Sequence, residues 1–159
     1  MPFRYRSWLV LALFILVCLS VGAIGGAFTG ASLQEWYPTL RKPSWTAPPI
    51  VFGPVWTVLY ILMAIAAWLV WRCRGVVDAT NALYLFAAQL AFNLAWSAFF
   101  FGLRSPGAAL VELVLLWALV LATLVAFWRI RRLAGALLLP YLLWTTYAVA
   151  LNFAIWRMN

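Results

Sequence analysis

Side chains able to do chemistry are scarce in this chain, and the types present narrow what that chemistry is. There is no histidine among the 159 residues. That excludes imidazole-ligated haem, His-based metal sites and Ser-His or Cys-His catalysis. The two cysteines, Cys18 and Cys73, are far apart and match no metal or redox spacing. No nucleophile–base pair, carboxylate pair or phosphate loop is present, so no residue is assigned to side-chain acid–base catalysis. What remains are amides and aromatic rings at helical spacing. Gln89, Asn93, Trp96 and Phe100 fall within about 60° of one another on a helix turning about 100° per residue. Amides are costly in hydrocarbon unless bonded, so Gln89 and Asn93 face protein or a polar cavity. Phe52, Trp56, Tyr60 and Met63 share a second helical face, and Trp144, Ala148 and Asn152, each four apart, share a third. Three such faces turned inward make an aromatic-walled cavity with a few hydrogen-bonding amides, suited to a large, flat, mostly apolar ligand. Two plainer readings stand beside this one, a lipid-facing stripe for the second face and interhelical hydrogen bonding alone for Gln89 and Asn93. Glu112 is the one acid inside an apolar run. It is either a proton-coupling carboxylate or, as we expect, an anion stabilised by the nearby helix start and headgroup water.

The elements that position these residues follow from composition. The chain is 68% hydrophobic and 9% charged, with 11 tryptophans. A soluble domain carries about 25% charged residues, so the sequence specifies a polytopic membrane protein. Apolar runs near 8–28, 50–71, 81–101, 106–128 and 133–156 each suffice to cross about 30 Å of hydrocarbon. The expectation is an all-α bundle of five transmembrane helices forming a single domain over 1–159. The first run exceeds a signal-peptide core in length and is read as a retained helix. Gly22, Gly26 and Gly30 form a small-residue ridge on it. Ala87, Ala91 and Ala95 form a smooth seam opposite the amide face, suited to close helix contact within the bundle or across a dimer. Pro140 is expected to kink the last helix. The net charge of +8 comes from short basic clusters between runs, which mark topology and meet anionic lipid rather than nucleic acid. Arg4, Arg6, Arg72, Arg74, Arg129, Arg131 and Arg132 outnumber Arg41, Lys42, Arg104 and Arg157 on the other face, which places the N-terminus inside.

Between the first two runs lies a segment unlike either. Trp36, Tyr37 and Trp45 sit among Pro38, Pro43, Pro48 and Pro49, with Pro54 and Trp56 following. So many prolines preclude one uninterrupted helix. We read residues 29–49 as a stiff lid over the bundle, feeding a helix near Pro54, with Arg41 and Lys42 placed to pair with acidic groups at a ligand's edge. An interfacial aromatic belt that only anchors the helices is the other reading.

Several of these pieces recur together at fixed spacing: Trp36-Tyr37-x2-Leu40-x-Lys42-Pro43-x-Trp45; Gly53-Pro54-Val55-Trp56-x2-Leu59-Tyr60; Gln89-Leu90-x2-Asn93-x2-Trp96 with Phe100; and Pro140-Tyr141-x2-Trp144 with Leu151-Asn152. In them the chain resembles the translocator protein family, also called tryptophan-rich sensory or peripheral benzodiazepine receptor proteins (TspO/MBR). These pieces fall in three of the five runs and the lid. The resemblance implies a five-helix bundle, usually a homodimer, that needs no cofactor and takes porphyrins such as protoporphyrin IX or haem, or synthetic benzodiazepine-site compounds, as ligands. By position it assigns Tyr37, Trp56, Tyr60, Asn93, Phe99, Trp144 and Ala148 to the ligand pocket. It also marks Trp56 and Trp144 as the rings of a light-dependent porphyrin breakdown in bacterial members. A helical bundle is by default inserted in an inner membrane, here a bacterial one, while the resemblance admits an outer membrane, where relatives occur. Two departures stand out. The family's Trp-x-Pro-Pro reads Trp45-Thr46-Ala47-Pro48-Pro49, with the proline pair one place late. Phe153 occupies the tyrosine place of the family's cholesterol motif, so no sterol binding is expected.

Overall fold

The structure, a computed structural model, describes residues 2–159, apart from the side chains of residues 2–6 and of Ala31. Arg4 and Arg6, counted in the charge distribution above, lie outside the described side chains. Six α-helices follow in order: α1 (Pro2–Glu35), α2 (Pro49–Trp71), α3 (Thr80–Ser97), α4 (Pro106–Ile130), α5 (Arg132–Leu137) and α6 (Leu139–Met158). Five stretches are long and apolar enough to cross a membrane: Ser7–Gly30, Pro49–Trp71, Thr80–Gly102, Pro106–Ile130 and Arg132–Met158. The protein is an integral, multi-pass membrane protein. Its principal packing pairs are α3 with α4, α4 with α6, and α1 with α2. Met63, Ala64 and Ala67 of α2 and Leu113, Leu116 and Val120 of α4 belong to the main core.

Two elements depart from the boundaries expected above. The first helix runs on to Glu35, so the lid begins at Trp36 rather than at residue 29. The apolar run stops near residue 28, but the hydroxyls that follow are satisfied as the helix continues. Thr29 Oγ1 donates to the Gly25 carbonyl at 2.9 Å, and Ser32 Oγ donates to the Phe101 carbonyl at 2.7 Å. The second helix, Pro49–Trp71, begins within one residue of the expected start and carries Pro54 inside it. A proline such as Pro49 costs least in a first turn, where its missing N–H would be unpaired anyway. The last run divides at Leu138 into α5 and α6, because Pro140 cannot continue the hydrogen-bond ladder and sits instead in the first turn of α6. Gly135 in α5 lies against α4, where an added Cβ would come within 2.8 Å of Trp128 Cα.

The third run ends in a π-turn, Ala98–Gly102, closed by a bond of 2.8 Å from Leu103 N–H to the Ala98 carbonyl. Such a turn inserts an extra residue and re-aims the side chains on it. Arg104 follows at φ 50°, a left-handed residue that reverses the chain into α4.

Candidate functional site

The inward faces of α1, α2, α3 and α6, with the π-turn and lid, enclose one cavity of about 690 Å³. That lies within the range of about 300–1,000 Å³ typical of small-molecule sites. From α2 it receives Phe52, Trp56 and Tyr60, and from α3 Asn93 and Trp96. The π-turn adds Phe100 and Phe101, α6 adds Trp144, Tyr147, Ala148 and Asn152, and the lid adds Tyr37. The rings brace one another. Trp56 lies 5.6 Å from Tyr60, Trp144 lies 5.6 Å from Phe52 and 5.3 Å from Tyr147, and Trp96 stacks on Phe100 at 5.3 Å between centroids. Ala148 leaves room between Trp144 and Asn152 on the α6 face.

The polar groups in this wall are largely paired with one another. Tyr60 donates its hydroxyl to Asn93 Oδ1, and Asn93 Nδ2 donates to the Tyr141 hydroxyl at 2.8 Å. This chain ties α2, α3 and α6 together at the buried end of the cavity. Nearer the lid, Trp96 Nε1 donates to Asn152 Oδ1 at 3.2 Å, and Asn152 Nδ2 donates to the Pro106 carbonyl at 2.8 Å. Polar groups bonded in this way can stay buried without the cost of unmet hydrogen bonds. The result is a mainly apolar, ring-walled space with Tyr60 and Asn93 as its polar floor.

Gly22 of α1 sets how close that floor comes to the helix. A Cβ there would lie 2.6 Å from Tyr60 Cε2, so only glycine lets the ring rest against the backbone.

Four residues expected at the site stand elsewhere. Gln89 is 1% exposed but faces α2, its Nε2 3.8 Å from Met63 Sδ, with Oε1 unpaired among the described residues. It does not line the cavity, which ends one turn away at Asn93. Phe99 packs half-buried beside Phe100 and Tyr37 without lining the cavity, while the π-turn carries Phe101 into the wall. Lys42 does not reach inward. Its Nζ donates to the Tyr37 and Leu40 carbonyls, both at 2.7 Å, and lies over the Tyr37 ring. The lid's own carbonyls, close at hand, outcompete a distant partner for that ammonium. Arg41 is exposed and engages through its backbone. Its N–H donates to Asn159 Oδ1, and its carbonyl accepts from Asn159 Nδ2, both at 3.0 Å.

The lid is fastened a second time. Tyr147, which lines the cavity, accepts the Ala47 N–H at 2.8 Å, and its ring meets Trp45 edge-on at 5.9 Å. Residue 47 therefore uses an N–H that proline would lack, and the displaced proline pair leaves that donor free for this bond. Burial raises the Tyr37 phenol above its ordinary value, and neighbouring Tyr147 adds to the shift. Tyr37 thus stays a neutral ring at physiological pH.

Glu112 does not sit at a solvated helix start. It lies six residues into α4, is 6% exposed, and neither carboxyl oxygen has a hydrogen-bond partner among the described residues. Its side chain faces the core because α4 packs on both α3 and α6, and it is not part of the cavity wall. No cluster of three or more His, Cys, Asp or Glu that could hold a metal occurs among the described residues.

Ala87 and Ala91 lie exposed on the outer face of α3, with Ala95 half-buried.

Comparison with known proteins bears on the whole chain. The model of the TspO/MBR family matches residues 14–157. A tryptophan-rich protein TspO of Chlorobaculum tepidum is 46% identical over 155 residues, covering 97% of this chain and 98% of that one. The protein CrtK of Rhodobacter capsulatus is 40% identical over 157 residues, covering 96% and 94%. The human translocator protein is 42% identical over 138 residues, covering 86% and 82%.

Proposed function

Since this chain belongs to the TspO/MBR family, we propose that it binds porphyrins and similar flat hydrophobic molecules in the ring-walled cavity, as a membrane binding, regulatory or transport protein. The observation that carries this reading is the cavity itself. Its roughly 690 Å³ are walled by Trp56, Trp96, Phe100, Trp144 and Tyr147 around a small polar floor. Aromatic faces stack on a flat conjugated ring, and Tyr60 and Asn93 orient it. Tyr37, Ala148 and Asn152 complete the contact surface near the lid. In this reading no cofactor is needed, and protoporphyrin IX or haem is the ligand. The surrounding partners are membrane lipid and a second copy of the chain, joined through Ala87, Ala91 and Ala95, with a bacterial membrane as the setting.

The test is a titration of detergent-purified protein with protoporphyrin IX in the dark, followed by tryptophan quenching. Asn93→Ala removes the link between Tyr60 and Tyr141 and is expected to weaken binding about tenfold, the equivalent of about 1.4 kcal/mol. Trp144→Phe is expected to weaken it several-fold. Quenching that does not saturate and is the same in all three proteins means porphyrin is only partitioning into the micelle, and the reading fails.

One observation favours a second reading, light-dependent porphyrin degradation. Trp56 and Trp144, two rings able to exchange electrons with an excited porphyrin, line the same cavity. Illuminating the same samples under dioxygen tests it. Turnover that persists in Trp56→Phe and Trp144→Phe removes the residues on which it rests.

A further inference from the structure

The cavity wall is not equally closed on all sides. Every lining residue that is exposed belongs to α1 or α2, among them Leu19, Ala23, Gly26, Gly30, Gly53 and Thr57. Those contributed by the lid, α3, the π-turn and α6 are all buried or half-buried. A residue that both faces the cavity and is open to the outside marks an aperture, and here the aperture is the gap between α1 and α2. Three glycines keep it clear, since a Cβ added at Gly26, Gly30 or Gly53 would meet nothing within 4 Å.

The aperture opens within the apolar length of the two helices, Ser7–Gly30 and Pro49–Trp71. It therefore faces hydrocarbon rather than water. The other approach, through the lid, is shut by the Ala47–Tyr147 and Arg41–Asn159 bonds and by Tyr37 packed on Phe100 and Phe101. The α1 helix is also the least embedded span, with 11% of its apolar window buried against 28–39% for the others.

We propose that ligand reaches the cavity sideways from the bilayer, through the α1–α2 gap in the half of the membrane nearer the lid. This rests on the cavity being a ligand site and goes further in two respects. It fixes the class of ligand as one that first dissolves among lipid tails, amphipathic and flat enough to pass between two helices. It also makes Gly26 and Gly53 the residues that set the rate of exchange.

The experiment follows transfer of protoporphyrin IX from preloaded donor vesicles to the protein in bilayer discs by stopped-flow, in the dark. Gly26→Leu and Gly53→Leu place a side chain in empty space, and leucine favours helix over glycine, so both variants should fold. Expected is a fall of about tenfold or more in both association and dissociation rates. Rates equal to those of the unmodified protein overturn the proposal. So does exchange that the glycine variants leave alone but that Ala47→Pro speeds, because the route is then through the lid. A spin-labelled stearate in the same discs separates this outcome from failure of the porphyrin reading. Its quenching of Trp56 and Trp144, identified as the emission lost in their Phe variants, should drop in the leucine variants even if porphyrin does not bind. Stearate quenching unaffected by those leucines would close the aperture as a route.

Discussion

Gly22 allows the Tyr60 ring to lie against α1, and from there Tyr60 reaches Asn93. Adding one methyl group at this position should be enough to disturb the cavity floor. Gly22→Ala places a Cβ 2.6 Å from Tyr60 Cε2, the ring must swing away, and its bond to Asn93 is lost. We expect porphyrin affinity to fall about tenfold, whereas Gly26→Ala, with open space around it, should leave affinity unchanged. Equal affinities for the two variants would show that Tyr60 tolerates the methyl. Much at this scale was legible beforehand. Four-residue spacing and residue type placed Trp56, Tyr60, Asn93, Trp96, Trp144, Ala148 and Asn152 on inward faces. Gln89 satisfied the same rule and still points elsewhere, because helical spacing fixes a face but not the depth at which a cavity ends. Tyr141, the third member of the Tyr60–Asn93–Tyr141 chain, appeared in the sequence only as part of a motif. Its role follows from the packing of α6 and α3 on a shared α4, which no local pattern encodes.

The π-turn at Ala98–Gly102 shows where reading by elements stops. The five spans follow from apolar length and proline placement, but a run of phenylalanines gives no sign of one residue too many. The resemblance alone assigns Phe99 to the wall, and the turn brings Phe101 there instead. The turn disrupts the regular ladder, and Ser32 of α1 takes up the Phe101 carbonyl with its hydroxyl. Ser32 is 6% exposed, so Ser32→Ala leaves a buried acceptor unpaired at a cost of about 1–3 kcal/mol. A clear drop in unfolding temperature in detergent is expected. No change would mean that the turn is held by its ring packing alone. The end of α1 is hidden for a related reason. The apolar run stops at Phe28, but the helix continues to Glu35, with Ser32 held by a tertiary bond to the π-turn.

For the molecule as a whole, the proposed seam for a second copy is the outer face of α3. Ala87 and Ala91 are exposed there, and small residues allow two helices to approach closely. Ala91→Phe should convert a dimer to monomer in cross-linking from bilayer discs while leaving the cavity's porphyrin affinity within about twofold. Dimers that survive the change place the contact elsewhere. The five apolar stretches also run to 23–27 residues, which at about 1.5 Å per residue rise roughly 35–40 Å. An average bilayer offers about 30 Å of hydrocarbon. Standing upright, the bundle would push apolar side chains out past the tails. The helices must therefore lean, or the surrounding lipid must thicken to meet them. Either adjustment shifts the gap between α1 and α2 relative to the tails, so the thickness of the host membrane becomes a setting of the protein.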